Sequence, residues 1–318
     1  MIPAEWMEQA HHRLKGLVKV TPLTEDVRMG WFLKWENQQL TGSFKLRGAL
    51  NKVLTLSPEE QAAGLVCASA GNHGQGVALA GQRVGARVIV FASEKAVPSK
   101  ISAMRKMGAE VHLVKGGYAA AEEAGKEYAR QNNHTWISPY NDGQVICGQA
   151  TLGFEILEQF NSKTIDEIYI PVGGGGLAAG LGAVFKMLAP NVKVIGVQSE
   201  ASPYFQALFH FGSQDDVVES ESLADGLAGA VEKGAITIPL VRQVLDDLLL
   251  VSEAEIGRAV AYAWQRYGEQ IEGSAAVALA AARKFSKKNQ PAVVLLSGGN
   301  IQPELLDEII HQNLSSDE

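Results

Sequence analysis

The stretch Thr41-Gly42-Ser43-Phe44-Lys45-Leu46-Arg47-Gly48-Ala49 places a lysine at the start of a helix predicted over residues 46–56. The positive end of a helix dipole disfavours an ammonium ion, so the pKa of a lysine in this position is lowered. A neutral amine is what imine formation with a carbonyl group requires. Because most helical lysines are solvated surface residues, Lys45 becomes a candidate catalytic residue only in combination with other motifs.

Strand-like and helix-like segments alternate along most of the chain. The expected strands are short, most of them apolar throughout, and span residues 18–20, 31–36, 65–69, 86–91, 110–114, 167–172, 192–198 and 292–297. Strands that are apolar on both faces belong to parallel sheets covered by helices on both sides. The pattern therefore predicts the α/β class, with a less regular segment, a helix and a loop, over 205–234.

The turn Asn141-Asp142-Gly143 is the expected point where the chain leaves one sheet and returns to another. The predicted organisation is a large domain of residues 1–52 and 142–318, with a small domain of residues 53–141 inserted in it. We expect no C-terminal regulatory domain, because the last predicted helix ends near residue 312.

Composition excludes several classes of function. The chain has 28 basic and 35 acidic residues, a net charge of -7 and no basic cluster, so no nucleic-acid partner is expected. The apolar runs are too short to cross a membrane, and the N-terminus lacks the form of a signal peptide. Cys67 and Cys147 form no CxxC pattern, which suits a cytoplasmic location. The histidines show no metal-ligand spacing, so no metal is expected.

A glycine-rich turn, Pro171-Val172-Gly173-Gly174-Gly175-Gly176-Leu177, lies between a predicted strand and a predicted helix. Without Cβ atoms, its backbone N–H groups can close around a phosphate at the helix N-terminus. No lysine follows in the spacing of a nucleoside-triphosphate site. A dinucleotide site remains an alternative, since Gly174 and Gly176 begin a GxGxxG pattern and Glu200 follows where a ribose-binding acid could lie.

Two further turns follow predicted strands. Ser69-Ala70-Gly71-Asn72-His73-Gly74-Gln75-Gly76 could hold a second anion, such as a substrate carboxylate, or be an ordinary turn with an Asn cap. Ser297-Gly298-Gly299-Asn300 could likewise be a simple turn. In open parallel sheets, however, ligands bind beyond the carboxyl ends of the strands, where all three turns lie.

An imine-forming lysine together with a held phosphate is the combination that pyridoxal phosphate requires from a protein. A dinucleotide-dependent oxidoreductase would not need Lys45, and a non-catalytic binding protein on the same scaffold would not need it either. The sequence therefore favours pyridoxal 5'-phosphate as the cofactor and a small molecule as the substrate.

From Thr21-Pro22-Leu23 onward the chain resembles the fold-type II pyridoxal-phosphate enzymes, and within them the threonine/serine dehydratase and serine racemase family. The motifs that carry the resemblance are 42–49, 69–75, 173–176, Ala224-Asp225-Gly226 and 297–300. Cysteine synthases and threonine synthases usually carry a threonine where this chain has His73. The resemblance implies a fold like that of the tryptophan synthase β-subunit, with two open twisted α/β domains and the cofactor between them.

The resemblance also implies a role for each motif. Lys45 would form the Schiff base with the cofactor and then act as base and acid at the substrate α-carbon. The other implied cofactor-binding residues are Phe44 at the ring, Asn72 at the ring hydroxyl, Gly173, Gly174, Gly175, Gly176 and Leu177 at the phosphate, and Ser297 at the pyridine nitrogen. The implied substrate-binding residues are Ser69, Ala70, Gly71, Asn72 and His73.

The implied reaction is an α,β-elimination that converts L-threonine to 2-oxobutanoate, or L-serine to pyruvate, with release of ammonia. Racemases of this family carry a second serine where this chain has Ala70, so racemisation is an alternative, as is dehydration of 3-hydroxyaspartate. Gln198 and Tyr204 fall where metal-binding members carry acids, so no metal activation is expected. The resemblance further implies a homo-oligomer, a dimer or a tetramer, without feedback by isoleucine.

Overall fold

The computed structural model describes residues 2–160, 165–287 and 290–313. Helices α1 to α13 are, in chain order, Ala4–Leu14, Lys45–Thr55, Pro58–Ala63, Asn72–Val84, Pro98–Lys106, Tyr118–Gln131, Gly143–Phe160, Gly176–Leu188, Tyr204–Phe211, Thr237–Val244, Glu253–Tyr267, Gly273–Phe285 and Pro303–Asn313. Strands β1 to β10 are Leu23–Asp26, Trp31–Trp35, Leu65–Ala68, Val88–Ser93, Glu110–Val114, Thr135–Trp136, Glu167–Pro171, Lys193–Ser199, Asp247–Val251 and Ala292–Leu296.

The larger of two sheets has six strands in the order β1-β2-β10-β7-β8-β9. All its neighbours are parallel except β1, which pairs antiparallel with β2 at the edge. β10 joins the two halves of this sheet, because Ala292 pairs with Trp31 on one side and with Glu167 on the other. The carboxyl ends of β10 and β7 therefore lie side by side at one edge, where the turns that follow them can meet.

The smaller sheet has four parallel strands in the order β5-β4-β3-β6. Its strands lie between residues 65 and 136, inside the segment predicted as the small domain. The division of the chain at 52/53 and 141/142 stays a prediction, since strand pairing does not define where a domain ends.

Residues on alternate sides of the strands pack into different cores. Val294 and Leu296 of β10 face a core built with α11, α12 and α13, whereas Val293 and Leu295 face a core built with α7 and α8. Successive side chains of a strand point to opposite faces, so a sheet covered on both sides needs strands that are apolar throughout. This double burial is the physical reason for the apolar runs in the sequence.

Glycines allow three helices to pack unusually closely. A Cβ on Gly148 of α7 would overlap the carbonyl of Arg47 in α2, and a Cβ on Gly180 of α8 would overlap the carbonyl of Ile146 in α7. The absence of side chains at these contacts lets the helix backbones touch. The start of α2, where Lys45 lies, is thereby held in a fixed place relative to α8.

Several elements differ from the sequence-based expectations. No strand forms over 18–20, because the backbone of Lys19 is hydrogen-bonded to the Gln39 side chain, and Leu23–Asp26 pairs with β2 instead. β6, α10 and β9 were not predicted. β9 forms because the edge of β8 offers it a partner, with Ile195 beside Asp247. No helix within the described ranges is long and apolar enough to cross a membrane.

Candidate active site

Lys45 lies between residues that follow β10 and residues that follow β6. Its Nζ donates a hydrogen bond to the carbonyl of Pro139 at 3.1 Å, and the N–H of Phe44 donates to the carbonyl of Ser297 at 3.1 Å. Burial lowers the pKa of Lys45 to about 8, although the carboxyl of Glu272 opposes the shift. Burial is thus a cause of the lowered pKa in addition to the predicted effect of the helix dipole, which stays a prediction. A larger fraction of this amine is neutral near pH 7 than for an ordinary lysine.

Glu272 is a carboxyl group of the site that the sequence analysis missed. It immediately precedes α12, is 7% exposed, and its Oε1 accepts a hydrogen bond from Nδ2 of Asn72 at 2.6 Å. Burial raises the pKa of Glu272 to about 7, and the charge of Asp225 adds to this shift. The sequence feature that could have revealed Glu272 is its position directly before a helix composed mostly of small apolar residues.

A chain of amide side chains joins the turns that the sequence places far apart. Nδ2 of Asn300 donates to Oδ1 of Asn72 at 2.7 Å and to the carbonyl of Thr41 at 2.9 Å. Nδ2 of Asn72 in turn donates to Glu272, which engages one of its two hydrogens. The structure therefore brings the turns at 41–45, 69–76 and 297–300 to one place, with a second N–H of Asn72 left for a ligand.

The turn at 69–73 forms the start of α4. Gly71 precedes the helix and donates its N–H to Oγ of Ser69 at 3.0 Å, while the N–H of Gln75 donates to the carbonyl of Gly71 at 3.1 Å. The backbone N–H groups of the first helical turn have no intrahelical acceptors and can bind an anion. Ala70 is the exposed residue of this turn.

His73 takes a different position from the one that a carboxylate-binding ring would need. Its ring is buried, with Nε2 at 2.9 Å from the carbonyl of Ile137. Burial, reinforced by the charge of Lys45, lowers the pKa of His73 to about 3, so the ring is neutral. The ring of His73 is therefore engaged within the protein, and its backbone N–H lies in the first turn of α4.

The glycine turn forms the start of α8. Gly175 adopts the left-handed conformation with a φ of 86°, and the N–H of Ala179 donates to its carbonyl at 2.8 Å. A Cβ on Gly175 would lie 2.5 Å from Cε2 of Phe205, and one on Gly174 would overlap the ring of Tyr140. Only glycines fit here, and the first N–H groups of α8 point away from the helix.

The remaining predicted cofactor residues surround the same place. Nζ of Lys45 lies 5.1 Å from the ring centroid of Phe44. Leu177 is buried as the second residue of α8, and Ser297 is buried directly after β10. Tyr140, which packs on the glycine turn, directly follows the carbonyl that binds Lys45.

These residues fit pyridoxal phosphate. A phosphate requires free backbone N–H groups, and the start of α8 supplies them. The missing Cβ atoms of Gly174 and Gly175 leave room for the rings of Tyr140 and Phe205, which pack on this turn. An aldehyde requires an amine with a lowered pKa, which Lys45 provides. Two adjacent residues contact the two features, since the carbonyl of Pro139 accepts a hydrogen bond from Lys45 and the ring of Tyr140 packs on the glycine turn.

Candidate metal ligands are scarce. The described ranges contain no group of three His, Cys, Asp or Glu side chains that could hold a metal ion. At one position that the sequence analysis examined for a cation, Oε1 of Gln198 accepts the backbone N–H of Gln206 at 3.0 Å. This contact holds the first turn of α9 against the end of β8.

The fold and the buried lysine are of the kind that an enzyme with a phosphorylated aldehyde cofactor requires. The family model described as pyridoxal-phosphate dependent enzyme matches residues 11–298, and the chain belongs to that family. Its cofactor is pyridoxal 5'-phosphate, which excludes the dinucleotide alternative for the glycine turn.

Three similar proteins illustrate the relationship. The chain is 39% identical to the L-threonine ammonia-lyase of Thermotoga maritima, over 99% of this chain and 79% of that protein. Among solved structures, the processed form of threonine deaminase isoform 2 from Solanum lycopersicum is 31% identical, with a TM-score of 0.87 over 97% of this chain and 94% of the other. The serine racemase of Dictyostelium discoideum is 33% identical, with a TM-score of 0.85 over 94% and 98%.

Proposed function

We propose that this chain is a pyridoxal-phosphate-dependent ammonia-lyase that converts L-threonine to 2-oxobutanoate and ammonia, L-serine to pyruvate and ammonia, or both. The observation that carries the proposal is Lys45, a buried lysine whose pKa is about 8 and whose Nζ contacts the carbonyl of Pro139. The next residue, Tyr140, packs on the glycine turn that opens α8. Similarity to proteins named L-threonine ammonia-lyase and threonine deaminase supports it.

The residues of the chain divide the work of this reaction. Bound pyridoxal phosphate supplies an electron-withdrawing ring that stabilises negative charge at the substrate α-carbon. The neutral Nζ of Lys45 removes the α-proton, and the β-hydroxyl group leaves with the electron pair of its bond. The expelled hydroxide takes up a proton and becomes water, which balances the α-proton that was removed. The released enamine then takes up one molecule of water and releases ammonia. Across the whole reaction L-threonine therefore loses one molecule of ammonia.

The other proposed roles concern holding and orienting. The N–H groups at the start of α8 would hold the cofactor phosphate, and those at the start of α4 would hold the substrate carboxylate. The free N–H of Asn72 would bind the ring hydroxyl. A neutral hydroxyl at Ser297 would not enforce a protonated pyridine nitrogen, which favours elimination over transamination.

The visible absorption spectrum of the purified protein tests the proposal. We expect a cofactor band that changes when L-threonine is added, with 2-oxobutanoate accumulating. Lys45→Ala should abolish both, whereas Lys52→Ala on the same helix should keep them. No cofactor band after incubation with pyridoxal phosphate would contradict the proposal. A band that responds only to L-serine or 3-hydroxyaspartate would mean that this amino acid, and not L-threonine, is the substrate.

Serine racemisation is the second candidate, favoured by the similarity to the Dictyostelium discoideum racemase. Ala70 argues against it, because the methyl group at this exposed position of the turn cannot move a proton. Purified protein should therefore form pyruvate from L-serine much faster than D-serine. Comparable rates for the two products would favour the racemase instead.

A homo-oligomer, either dimer or tetramer, and a cytoplasmic location complete the proposal. The oligomer is supported only by the family resemblance, and the location by the cysteine pattern, with Cys67 and Cys147 both free and buried. Sedimentation velocity of the cofactor-bound protein measures the oligomeric state, and a single monomeric species would contradict it.

A further inference from the structure

A lysine that is not among the predicted site residues lies next to them. Lys100 belongs to α5, which packs beside the smaller sheet, and its Nζ lies 3.5 Å from Oδ2 of Asp225 in the turn Asp225–Leu227. The side chain of Lys100 is 18% exposed and that of Asp225 is 67% exposed. A long ion pair with a solvated partner is weak, so Lys100 can exchange this partner for another anion.

The same lysine lies against the second anion-binding turn. A Cβ on Gly71 would lie 3.5 Å from Cδ of Lys100 and 3.8 Å from its Nζ. Gly71 immediately precedes α4, whose first N–H groups are the proposed contacts of the substrate carboxylate. The ammonium group is therefore next to the place where a carboxylate would bind.

The negative charges of the site favour a cation at the position of Lys100. Two carboxyl groups already lie near Lys100, the exposed Asp225 and the buried Glu272. Asp225 raises and Lys100 lowers the pKa of Glu272, so both charges act on the interior. A third carboxylate would be repelled there unless a positive charge accompanied it.

We propose that Lys100 leaves Asp225 and pairs with the α-carboxylate of the substrate at the turn 69–73, where it selects amino acids with a free carboxylate. The inference rests on the proposed function for the place of that carboxylate, and it adds a binding residue beside that turn. Asp225 then acts as the resting partner of Lys100 in the absence of substrate.

A comparison of charged and uncharged ligands tests this role. L-Alanine has no β-hydroxyl to eliminate, and L-alaninamide lacks the carboxylate; the binding of each is followed through the cofactor band of the holoenzyme. Lys100→Met should reduce the preference for L-alanine over L-alaninamide by about tenfold or more, since it removes a charge-assisted contact. Lys100→Arg should retain most of the preference, and Lys106→Met, exposed on the same helix, should leave it unchanged.

Turnover provides a second measurement. The KM of Lys100→Met for L-threonine should rise by a similar factor while kcat changes less than about threefold. Asp225→Asn should not weaken L-alanine binding, because it frees Lys100. If Asp225→Asn weakens it as much as Lys100→Met does, the pair is only a structural contact and the inference is wrong.

Two other outcomes separate the inference from the proposed function. An unchanged preference for the carboxylate in Lys100→Met overturns the inference, even if L-threonine is converted at the normal rate. If the wild type does not convert L-threonine but Lys100 still controls the preference between L-alanine and its amide, the proposed function fails and the inference stands. If neither ligand changes the band of the wild type, the inference is wrong, and the conversion of L-threonine alone decides the proposed function.

Discussion

Lys45 and Glu272 are a pair of groups whose pKa values burial moves toward each other. Burial lowers the pKa of Lys45 to about 8 and raises that of Glu272 to about 7, so both titrate close to neutral pH. Each charge stabilises the other, because the carboxylate raises the pKa of the amine and the ammonium lowers that of the carboxyl group. The fraction of neutral amine therefore depends on Glu272.

Substitution of Glu272 should change the titration of Lys45. In the cofactor-free protein, Glu272→Gln removes a negative charge that raises the pKa of Lys45, so this pKa should fall below about 8. The measurement is the rate of acetylation of Lys45 between about pH 6 and 10, followed by mass spectrometry. The exposed Lys106 in the same digest serves as the control. An unchanged or higher pKa of Lys45 would contradict the assigned interaction.

Glu272 should also make stability depend on pH. Its pKa is raised from 4.5 to about 7, so the folded protein binds this proton more tightly than the unfolded chain. The contribution is fully present below pH 4.5 and is lost as the pH rises through about 7, a change of roughly 3 kcal/mol. Urea unfolding should therefore show Glu272→Gln gaining stability relative to the wild type between about pH 5 and 8. A constant difference between the two proteins across this range would exclude the raised pKa.

At the scale of elements, the start of α8 depends on the conformation of its glycine turn. Gly175→Ala would combine a φ of 86° with a Cβ 2.5 Å from Phe205, so the turn must deform and its N–H groups diverge. We expect the dissociation constant of pyridoxal phosphate to rise at least about tenfold, measured by titrating the cofactor-free protein.

Gly85→Ala is the matched control, because Gly85 also has a positive φ, 69°, but open space around it. It should cost about 1–2 kcal/mol of stability and leave cofactor affinity unchanged. Equal loss of affinity in both variants would disprove the role of the turn.

Helices and strands with a recognisable local sequence pattern were predictable from sequence. Strands that form only because a distant strand pairs with them were not. β10 and α8 were predicted from a buried apolar run and from a glycine turn that opens a helix. β6 has only the two residues Thr135–Trp136, and β9 exists because β8 offers an edge. Local patterns cannot specify such pairings.

The site follows the same division. The motif around Lys45 and the glycine turn are continuous in sequence, so their chemistry could be inferred. Glu272 accepts a hydrogen bond from Asn72, 200 positions away in the chain, and Lys100 forms an ion pair with Asp225, 125 positions away. Neither contact leaves a trace in the spacing of nearby residues.

At the scale of the whole molecule, a buried ionic cluster joins the sheet to the helices behind the site. Arg47 of α2 pairs with Glu36 through two hydrogen bonds of 2.8 Å and with Glu155 of α7 at 2.9 Å. Lys34 of β2 pairs with Glu155 at 2.5 Å. Burial alone would raise the pKa of Glu36, but Arg47 lowers it below its usual value. The two positive and two negative charges of this cluster thus balance one another.

Removal of one charge from this cluster should destabilise the protein strongly. Arg47→Met leaves a buried carboxylate uncompensated, which typically costs about 3–5 kcal/mol. Arg87→Met removes an exposed ion pair with Glu110 and should cost less than about 1 kcal/mol. Urea unfolding of both variants measures the difference. Similar losses in the two variants would mean that the cluster does not hold the fold together.

The central place of β10 has a consequence for how the protein is made. β2 and the Lys45 helix are synthesised before β10, which joins β2 to β7 and is the last of the described strands to leave the ribosome. Until then the N–H of Phe44 lacks the Ser297 carbonyl that fixes the start of the helix. A nascent chain therefore lacks the contact that positions Lys45 until β10 has been made, and we expect loading with pyridoxal phosphate to follow the synthesis of β10.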